Sequence, residues 1–187
     1  MSSVTRPASD EASLVDLVAE GFDLAFRSSR RRLRDSSLHA RRVGAMAMQV
    51  FAAPAYLARR GTPRAPADLA AHDWVIYSGV ASIRLENAGE VARLDPRGRV
   101  VCDDMSFVCA ALGAGAGLGV LPTFLAGADV ASGALVRVLP RWTMPMSDLW
   151  IVSTAAKHAP RKVTALRDFV IESLRARPLA LAEEAAE

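Results

Sequence analysis

Apolar residues recur along this chain with two different spacings, and each spacing predicts a different kind of element. Short runs of apolar residues, or alternation of apolar and polar ones, are typical of strands. The clearest run extends from Leu38 to Ala53 and includes Val43, Met46, Val50 and Phe51. By these criteria we predict strands at 22–26, 38–53, 74–77, 83–86, 90–94, 99–102, 118–121, 134–139 and 149–153.

Proline and glycine mark the ends of several predicted helices. Pro54 and Gly61 bracket one at 54–60, and Pro66 begins a short one at 66–71. Asp103 or Asp104 is suited to cap a helix that follows it. A further helix is predicted at 13–20. The longest begins at Pro160, ends before Pro178, and places on one face Val163, Leu166, Phe169, Val170 and Leu174.

The order of these elements predicts the class of fold. Strands and helices alternate, with a turn-rich insertion in which Asn87-Ala88-Gly89 joins two strands. Such alternation is typical of an α/β protein with a mostly parallel sheet, or with two sheets.

The segment from Met105 to Ala128 carries no charged residue and is long enough to span a membrane. Against a membrane helix stand its five glycines, its Pro122, and the aspartates on both sides of it. We therefore expect a buried helix with Phe107, Val108, Ala111 and Leu112 inward, then a glycine turn and a buried strand.

Composition narrows the class of protein. A chain of 187 residues with 51% hydrophobic and 23% charged residues can form a real core. Two cysteines exclude a disulfide framework and a cysteine-built zinc site. The N-terminus lacks an apolar secretion signal, so we expect a cytoplasmic protein. The net charge of +3 gives only weak support for an anionic partner.

Catalytic and metal-binding patterns are missing where an enzyme would show them. The sequence has no G-x-S-x-G, and the glycines at 113–119 have neither the spacing nor the strand-to-helix setting of a dinucleotide loop. His39, His72 and His158 lack metal-ligand spacing. We expect no catalysis, no metal and no cofactor.

Two polar features have two readings each. Asp103 and Asp104 suit either acid–base chemistry or, as we prefer, a helix cap. Arg30-Arg31-Arg32 suits phosphate contact or, as we prefer, a solvated loop. Cys102 and Cys109 are predicted to be buried small apolar residues.

Read in order, several short motifs resemble the effector-binding domain of LysR-type transcriptional regulators. They are DLVAEGFDLAFR at 16–27, DSSL at 35–38, APAYL at 53–57, PADL at 66–69 followed by His72, GLGVLP at 117–122 and GALVRVLP at 133–140. The resemblance covers residues 14–174. It implies a fold like the type 2 periplasmic binding proteins, with a small-molecule cleft between two α/β lobes. The implied lobes are residues 1–49 with 149–187, and residues 50–148.

Two departures from the family pattern affect the functional expectation. The family's winged helix-turn-helix has no counterpart here, so we expect no operator binding by this chain alone. The first strand and first helix of the effector domain are also unmatched, which indicates a truncated first lobe. The alternatives are a non-functional remnant of such a regulator and a free-standing solute-binding protein.

The resemblance also implies which residues line the cleft. Arg27 and Ser28 follow the third family strand, Ala52 and Ala53 lie at the crossover, and Asp104, Met105 and Ser106 begin a helix that faces the cleft. For Met105 and Ser106 ordinary packing in the first helical turn remains open. The expected partners are a small-molecule effector and a second copy of the chain. Unpaired strand edges and exposed Leu24, Phe26, Val43 and Ile151 are expected beside the missing strand.

Overall fold

The computed structural model describes residues 22–29, 38–80, 82–98, 100–154 and 160–179. The predicted helix at 13–20 and the arginine-rich segment at 30–34 lie outside these ranges. The described strands are β1 (Leu24–Ser29), β2 (Leu38–Met46), β3 (Met48–Ala52), β4 (Val75–Tyr77), β5 (Ile83–Asn87), β6 (Glu90–Leu94), β7 (Val100–Cys102), β8 (Gly119–Pro122), β9 (Val136–Arg137) and β10 (Ser147–Thr154). The helices are α1 (Pro54–Arg60), α2 (Met105–Gly113), α3 (Thr123–Ala131) and α4 (Arg161–Ala176), with a 3-10 helix at Pro66–Ala71.

The first sheet has three strands in the order β1-β10-β2, and both pairings are antiparallel. Because β10 lies in the centre, it has ladder partners on both of its edges. The outer edges of β1 and β2 bound this sheet in the described part of the chain. The helix α4 packs against β2.

The second sheet is mixed. Its antiparallel part has the order β8-β3-β9, and its parallel part is β4-β7. A parallel bridge between Trp74 and Leu118 joins the two parts. There the Val75 N–H donates to the Leu118 carbonyl at 2.9 Å, and the Leu118 N–H donates to the Asp73 carbonyl at 2.8 Å. The order is therefore β7-β4-β8-β3-β9, and the strands β5 and β6 form a separate hairpin.

The prediction of a mostly parallel sheet is wrong, since β3, β9 and β10 all pair antiparallel. Periodicity indicates strands, but the direction of pairing depends on contacts between distant segments, such as Met48 with Pro122. The mixed α/β class is confirmed, and so are helix α1 at its predicted bounds and the hairpin turn, where Ala88 and Gly89 both have positive φ.

The core of the molecule lies on the two faces of the second sheet. One cluster, on the face of Val50 and Ala52, contains Tyr56, Leu69, Trp74, Ile83, Leu85 and Leu118. The other, on the face of Phe51 and Ala53, is covered by α2 and α3 and contains Val75, Val108, Leu112, Leu121, Ala126 and Leu135. Alternate residues of β3 thus point into different clusters, as the strand pleat requires.

The uncharged segment folds as predicted, into helix α2, a glycine turn and the buried strand β8. Gly117 is required by close packing, because a Cβ there would lie 2.5 Å from the Asp73 carbonyl oxygen. No helix in the described ranges is both long enough and apolar enough to cross a membrane.

Several predicted apolar faces are more exposed than the pattern suggests. The predicted buried strand at 22–26 is instead β1, and Phe22 and Phe26 are about half exposed. On α2 Phe107 is exposed, and on α4 Leu166 and Phe169 are exposed while Val163 and Ile171 are buried. Of the four apolar residues of the first sheet that were expected to be exposed, Phe26 is exposed and Ile151 is buried; Leu24 and Val43 are half-buried.

Candidate functional site

Arg27 and Ser28 lie near the end of β1. This is the edge of the first sheet beside the crossover, the point at Ala47 where the chain passes from β2 to β3. In the pairing of β1 with β10, Arg27 is opposite Trp150 and Ser28 is opposite Leu149. At the same end, Ser147 pairs with Met46, the last residue of β2. Because β2 continues through Ala47 into β3, this edge of the first sheet adjoins the second sheet.

The edge of the second sheet that adjoins the crossover contains the carboxyl ends of its parallel strands. Strand β8 ends at Pro122, opposite Met48, and the Thr123 N–H donates to the Ala47 carbonyl at 3.0 Å. Strands β4 and β7 run in the same direction as β8, so Tyr77 and Cys102 end at this edge as well. Ligands of open α/β sheets bind beyond the carboxyl ends of the strands.

Asp104, Met105 and Ser106 begin α2 at this edge, and Asp104 is its N-cap. One Asp104 carboxylate oxygen accepts hydrogen bonds from the backbone N–H groups of Ser106 at 2.6 Å and Phe107 at 3.2 Å. These bonds, that from Phe107 foremost, hold the pKa of Asp104 below its usual 3.8. The capping prediction is confirmed. Ser106 is exposed, and Met105 packs half-buried against the cluster under α2.

Ala52 and Ala53 lie elsewhere. They occupy the far end of β3, where Ala52 pairs with Val136, and only 0% and 3% of their surfaces are exposed. Ala53 is also the residue before α1. A methyl group with so little accessible surface cannot contact a ligand, so these alanines do not join the other residues at the crossover edge.

The first sheet offers charged and aromatic groups on one face. Trp150 is paired with Arg27 on one side and Arg42 on the other. Arg42 Nε lies 2.5 Å from an oxygen of Asp148, and Arg27 is half-buried. The Trp150 indole Nε1 is buried and has no hydrogen-bond partner among the described residues. Ser28 is exposed on the opposite face.

Gln49 is a residue at this edge that the sequence analysis missed. Its side chain is 2% exposed. Among the described residues, the other buried side chains are hydrophobic. The available signal was a single amide within the apolar run from Ala45 to Ala53. Because a buried polar side chain usually needs a hydrogen-bond partner, a single amide in an apolar run marks a position of interest.

A shallow cavity of about 340 Å³ lies at the β5–β6 hairpin. Arg84, Glu86, Asn87, Glu90 and Thr143 line it, and Arg84 is already paired with Glu86 at 2.6 Å. This cavity is open and contains none of the predicted site residues. We therefore give more weight to the crossover edge, where strand ends converge, than to this surface depression.

His72 and the cysteines have structural roles. Tyr56 Oη lies 3.1 Å from His72 Nδ1 and accepts a hydrogen bond from the Asp73 N–H at 2.9 Å. Burial, followed by the charge of Arg60, lowers the pKa of His72 below its usual 6.5. Cys109 donates to Asp129 at 3.0 Å, and Cys102 and Cys109 are both half-buried, not buried as predicted. In the described part of the chain no group of His, Cys, Asp and Glu residues is suited to a metal ion.

Curated relatives of this chain are transcriptional regulators. The HTH-type transcriptional activator AaeR of Escherichia coli K12 is 36% identical over 168 residues, covering 84% of this chain and 52% of AaeR. The HTH-type transcriptional regulator PtxR of Pseudomonas aeruginosa PAO1 is 33% identical over 171 residues, covering 90% of this chain and 54% of PtxR. The chain therefore spans about half the length of these relatives.

Solved structures show the same fold. The regulatory domain of AphB from Vibrio vulnificus superposes with a TM-score of 0.73 at 29% identity, covering 87% of this chain and 80% of that one. The CrgA regulatory domain from Neisseria meningitidis has a TM-score of 0.73 at 25% identity, covering 86% and 79%. The family model of the LysR substrate binding domain matches residues 8–175. The chain thus belongs to the LysR substrate-binding domain family, with the periplasmic-binding-protein-like fold of LysR regulatory domains.

Proposed function

We propose that this domain senses a small-molecule effector for a LysR-type regulator in the bacterial cytoplasm. The effector binds between two lobes, residues 1–49 with 149–187 and residues 50–148. The observation that carries this proposal is the meeting of two sheet edges at Ala47. The exposed polar residue Ser28 lies at the edge of the first sheet, and the exposed Ser106 lies in the first turn of α2, beside the edge of the second.

The proposed contacts come from both sides of the crossover. Arg27 and Ser28 contribute from the first sheet, and Asp104, Met105 and Ser106 contribute from the start of α2. The two sides differ in charge, because Arg27 is cationic and Asp104 is held ionised by its capping bonds. Ala52 and Ala53 are left out of the proposed contacts because their side chains are buried.

Effector binding would act by changing the angle between the lobes. A ligand that contacts both edges binds the closed arrangement more tightly and so shifts the population towards it. The regulator would contact DNA through a winged helix-turn-helix and not through the matched residues 8–175. The effector domain passes its conformational change to that DNA-binding head.

We also propose that the domain self-associates, the first lobe of one copy against the second lobe of the other. Both proposed lobes carry exposed apolar side chains that support self-association. Phe169 and Leu166 on α4 are 66% and 50% exposed, and Phe107 on α2 is 51% exposed. The outward residues of α2 around Phe107 are uncharged. Uncharged apolar surface of this kind is typical of an interface.

A thermal-shift screen of common metabolites tests the effector proposal. A true effector raises the Tm in proportion to its concentration, because it binds the folded state only. Ser28→Leu and Ser106→Leu, one at each edge, should each weaken binding by about tenfold or more, since a bulky apolar group fills the polar site. The control is Arg161→Ala, at the exposed start of α4, which is not one of the proposed contacts. A compound whose affinity both leucine variants leave unchanged would argue against the crossover edge.

Sedimentation velocity tests the self-association proposal. Phe169→Asp places a charge on the exposed face of α4, so the dimer should dissociate into monomers while the far-ultraviolet circular dichroism stays unchanged. Phe107→Asp should do the same from the other surface. A wild-type chain that sediments as a monomer at high concentration would contradict the proposal.

A further inference from the structure

The chain passes from the first sheet to the second at Ala47 and returns between β9 and β10, through residues 138–146, which we call the return crossover. Its first part is held by the second sheet. The Val138 N–H donates to the Val50 carbonyl at 2.8 Å. Leu139 is 6% exposed and has a positive φ of 55°, a conformation that a bulky residue keeps only where its surroundings fix it. This part of the crossover therefore moves with the second sheet.

Thr143 is bonded to the β5–β6 hairpin through both of its backbone polar groups. Its N–H donates to the Glu86 carbonyl at 2.9 Å, and its carbonyl accepts from the Glu86 N–H at 2.8 Å. We call these two bonds the Glu86–Thr143 bridge. The hairpin is itself fixed, because Ile83 and Leu85 are each 1% exposed in the cluster on the Val50 face of the second sheet. The bridge thus attaches the return crossover to that core.

The next three residues of the return crossover are held less firmly. Among the described residues, Met144, Pro145 and Met146 make no backbone hydrogen bond. The side chain of Met144 packs against the same cluster, but it is unbranched and adapts to changes in its surroundings, and Met146 is 53% exposed. Pairing resumes at Ser147, opposite Met46. A short unbonded stretch therefore lies between two bonded ends.

The passage at Ala47 has no comparable stretch. Ala47 alone separates β2 from β3, and its carbonyl accepts from the Thr123 N–H at 3.0 Å. Because Met46 pairs with Ser147, the two passages between the sheets lie side by side. A rotation of one sheet relative to the other must turn about this point, and residues 144–146 offer the dihedral angles that can absorb it.

We propose that Met144–Met146 form the hinge of the lobe closure and that the Glu86–Thr143 bridge anchors this hinge. While the bridge is formed, the dihedral changes are confined to three residues and the lobes sample a narrow range of angles. Breaking the bridge lengthens the free segment and widens that range. This inference rests on the proposed effector-binding function and adds to it the contact that limits the motion.

Hydrogen exchange of the backbone amides tests the anchor without a ligand, by nuclear magnetic resonance on the full 15N-labelled chain. Relative to their intrinsic rates, the N–H groups of Glu86 and Thr143 should exchange at least about 100-fold more slowly than those of Met144 and Met146, because the bridge protects them. Equal protection at the four positions would overturn the division into anchor and hinge.

Double electron–electron resonance measures the range of lobe angles. Spin labels at Ala58→Cys on α1 and Ser173→Cys on α4, both exposed positions, report one distance between the proposed lobes. Serine replaces Cys102 and Cys109, and labelled chains are diluted into unlabelled chain so that the distances measured lie within one chain. With the bridge intact, the distribution of distances should be narrow.

Proline at either end of the bridge removes one of its donors. Both backbone groups of Glu86 face Thr143 and not β6, so Glu86→Pro leaves the β5–β6 ladder its bonds. This variant should broaden the distance distribution. Glu86→Ala, which keeps both backbone bonds, is the matched control and should leave the distribution unchanged. Thr143→Pro, with Thr143→Val as its control, gives the same test if Glu86→Pro does not fold. An unchanged distribution in the proline variant, or equal broadening in its control, would overturn the anchor.

The failure of the hinge and the failure of the proposed function give different results. If the proline variants leave the distances unchanged while a metabolite raises the Tm and is sensitive to Ser28→Leu, the anchored hinge is wrong and effector sensing stands. If the proline variants broaden the distances but no metabolite binding depends on Ser28 or Ser106, the hinge stands and the sensing proposal is wrong.

Discussion

The two sheets of this domain bury their apolar residues to very different extents. Both faces of the second sheet are covered, by clusters of twelve and eight buried residues. In the described residues of the first sheet the corresponding cluster consists of Trp150 and Val152 with Ala25 against them, while Phe26, Leu166 and Phe169 are exposed. Within the described residues the second sheet thus buries most of its apolar side chains, whereas the first sheet and its helix leave several of theirs exposed.

The largest expected effect comes from a cavity in the core of the second sheet. Leu112→Ala removes a side chain that is 0% exposed and should lower the free energy of unfolding by about 2–5 kcal/mol. Phe169→Ala, on the exposed face of α4, should change that of the dissociated monomer by less than about 0.5 kcal/mol. Urea denaturation measures both. Equal losses in the two variants would remove the contrast between the sheets.

The reactivity of Cys109 measures how firmly the second sheet holds its helices. Burial and then the hydrogen bond to Asp129 raise the pKa of this thiol from its ordinary 9.0 to about 11. Since the thiolate is the reactive form, two pKa units slow alkylation by about 100-fold below pH 9. The test is iodoacetamide labelling of a Cys102→Ser chain, native and urea-unfolded. Similar rates in the two states would mean that α2 opens readily.

The hydroxyl group of Tyr56 also stabilises the packing of the second sheet through hydrogen bonds. Tyr56 Oη connects α1 to the Asp73 N–H and to His72. Tyr56→Phe leaves the Asp73 N–H without its acceptor and should cost about 1–3 kcal/mol of unfolding free energy. Ser132→Ala, which removes only an exposed hydroxyl on the C-cap of α3, is the control and should cost much less. Equal losses of unfolding free energy in the two variants would show that the Tyr56 hydroxyl contributes no more to stability than an exposed hydroxyl does.

The smallest expected effect is a pH dependence centred on His72. Tyr56 Oη accepts from the Asp73 N–H and lies 3.1 Å from His72 Nδ1, and it can donate its own proton to that nitrogen only when Nδ1 of the imidazole carries no proton. The pKa of His72 is lower in the folded chain than the unfolded 6.5, so the unfolded chain binds the extra proton first. Stability should therefore fall as the pH falls below 6.5. A His72→Gln chain should lose less stability from pH 7.5 to 5.5, as measured by thermal unfolding at each pH. An identical loss would contradict this role.

Local signals in the sequence predicted much of the fold. Pro54 and Gly61 bracket α1, Asp104 caps α2, and the positive φ of Ala88 and Gly89 forms the hairpin turn. These features depend on neighbouring residues only. Strand direction and the central place of β10 depend on pairings such as Ser147 with Met46, which lie far apart in sequence and leave no periodic signal.

The residues of the candidate site could be predicted only where local signals determine their positions. The start of α2 follows a strand, so Asp104 and Ser106 could be placed at a sheet edge from the order of elements. The depth of Ala52 could not, because burial depends on what packs from both sides. The exposure of Phe169 could not be predicted either, since helical spacing indicates an apolar face but not whether another element covers it.

The most direct test of the account is the crystal structure of the domain with a compound that raises its Tm. We predict ligand density between the sheet edges at Ala47, in contact with Ser28 on one side and Ser106 on the other. Density in the hairpin cavity beside Arg84 and Thr143, with the crossover edge empty, would contradict the claim that this domain senses its effector between two lobes.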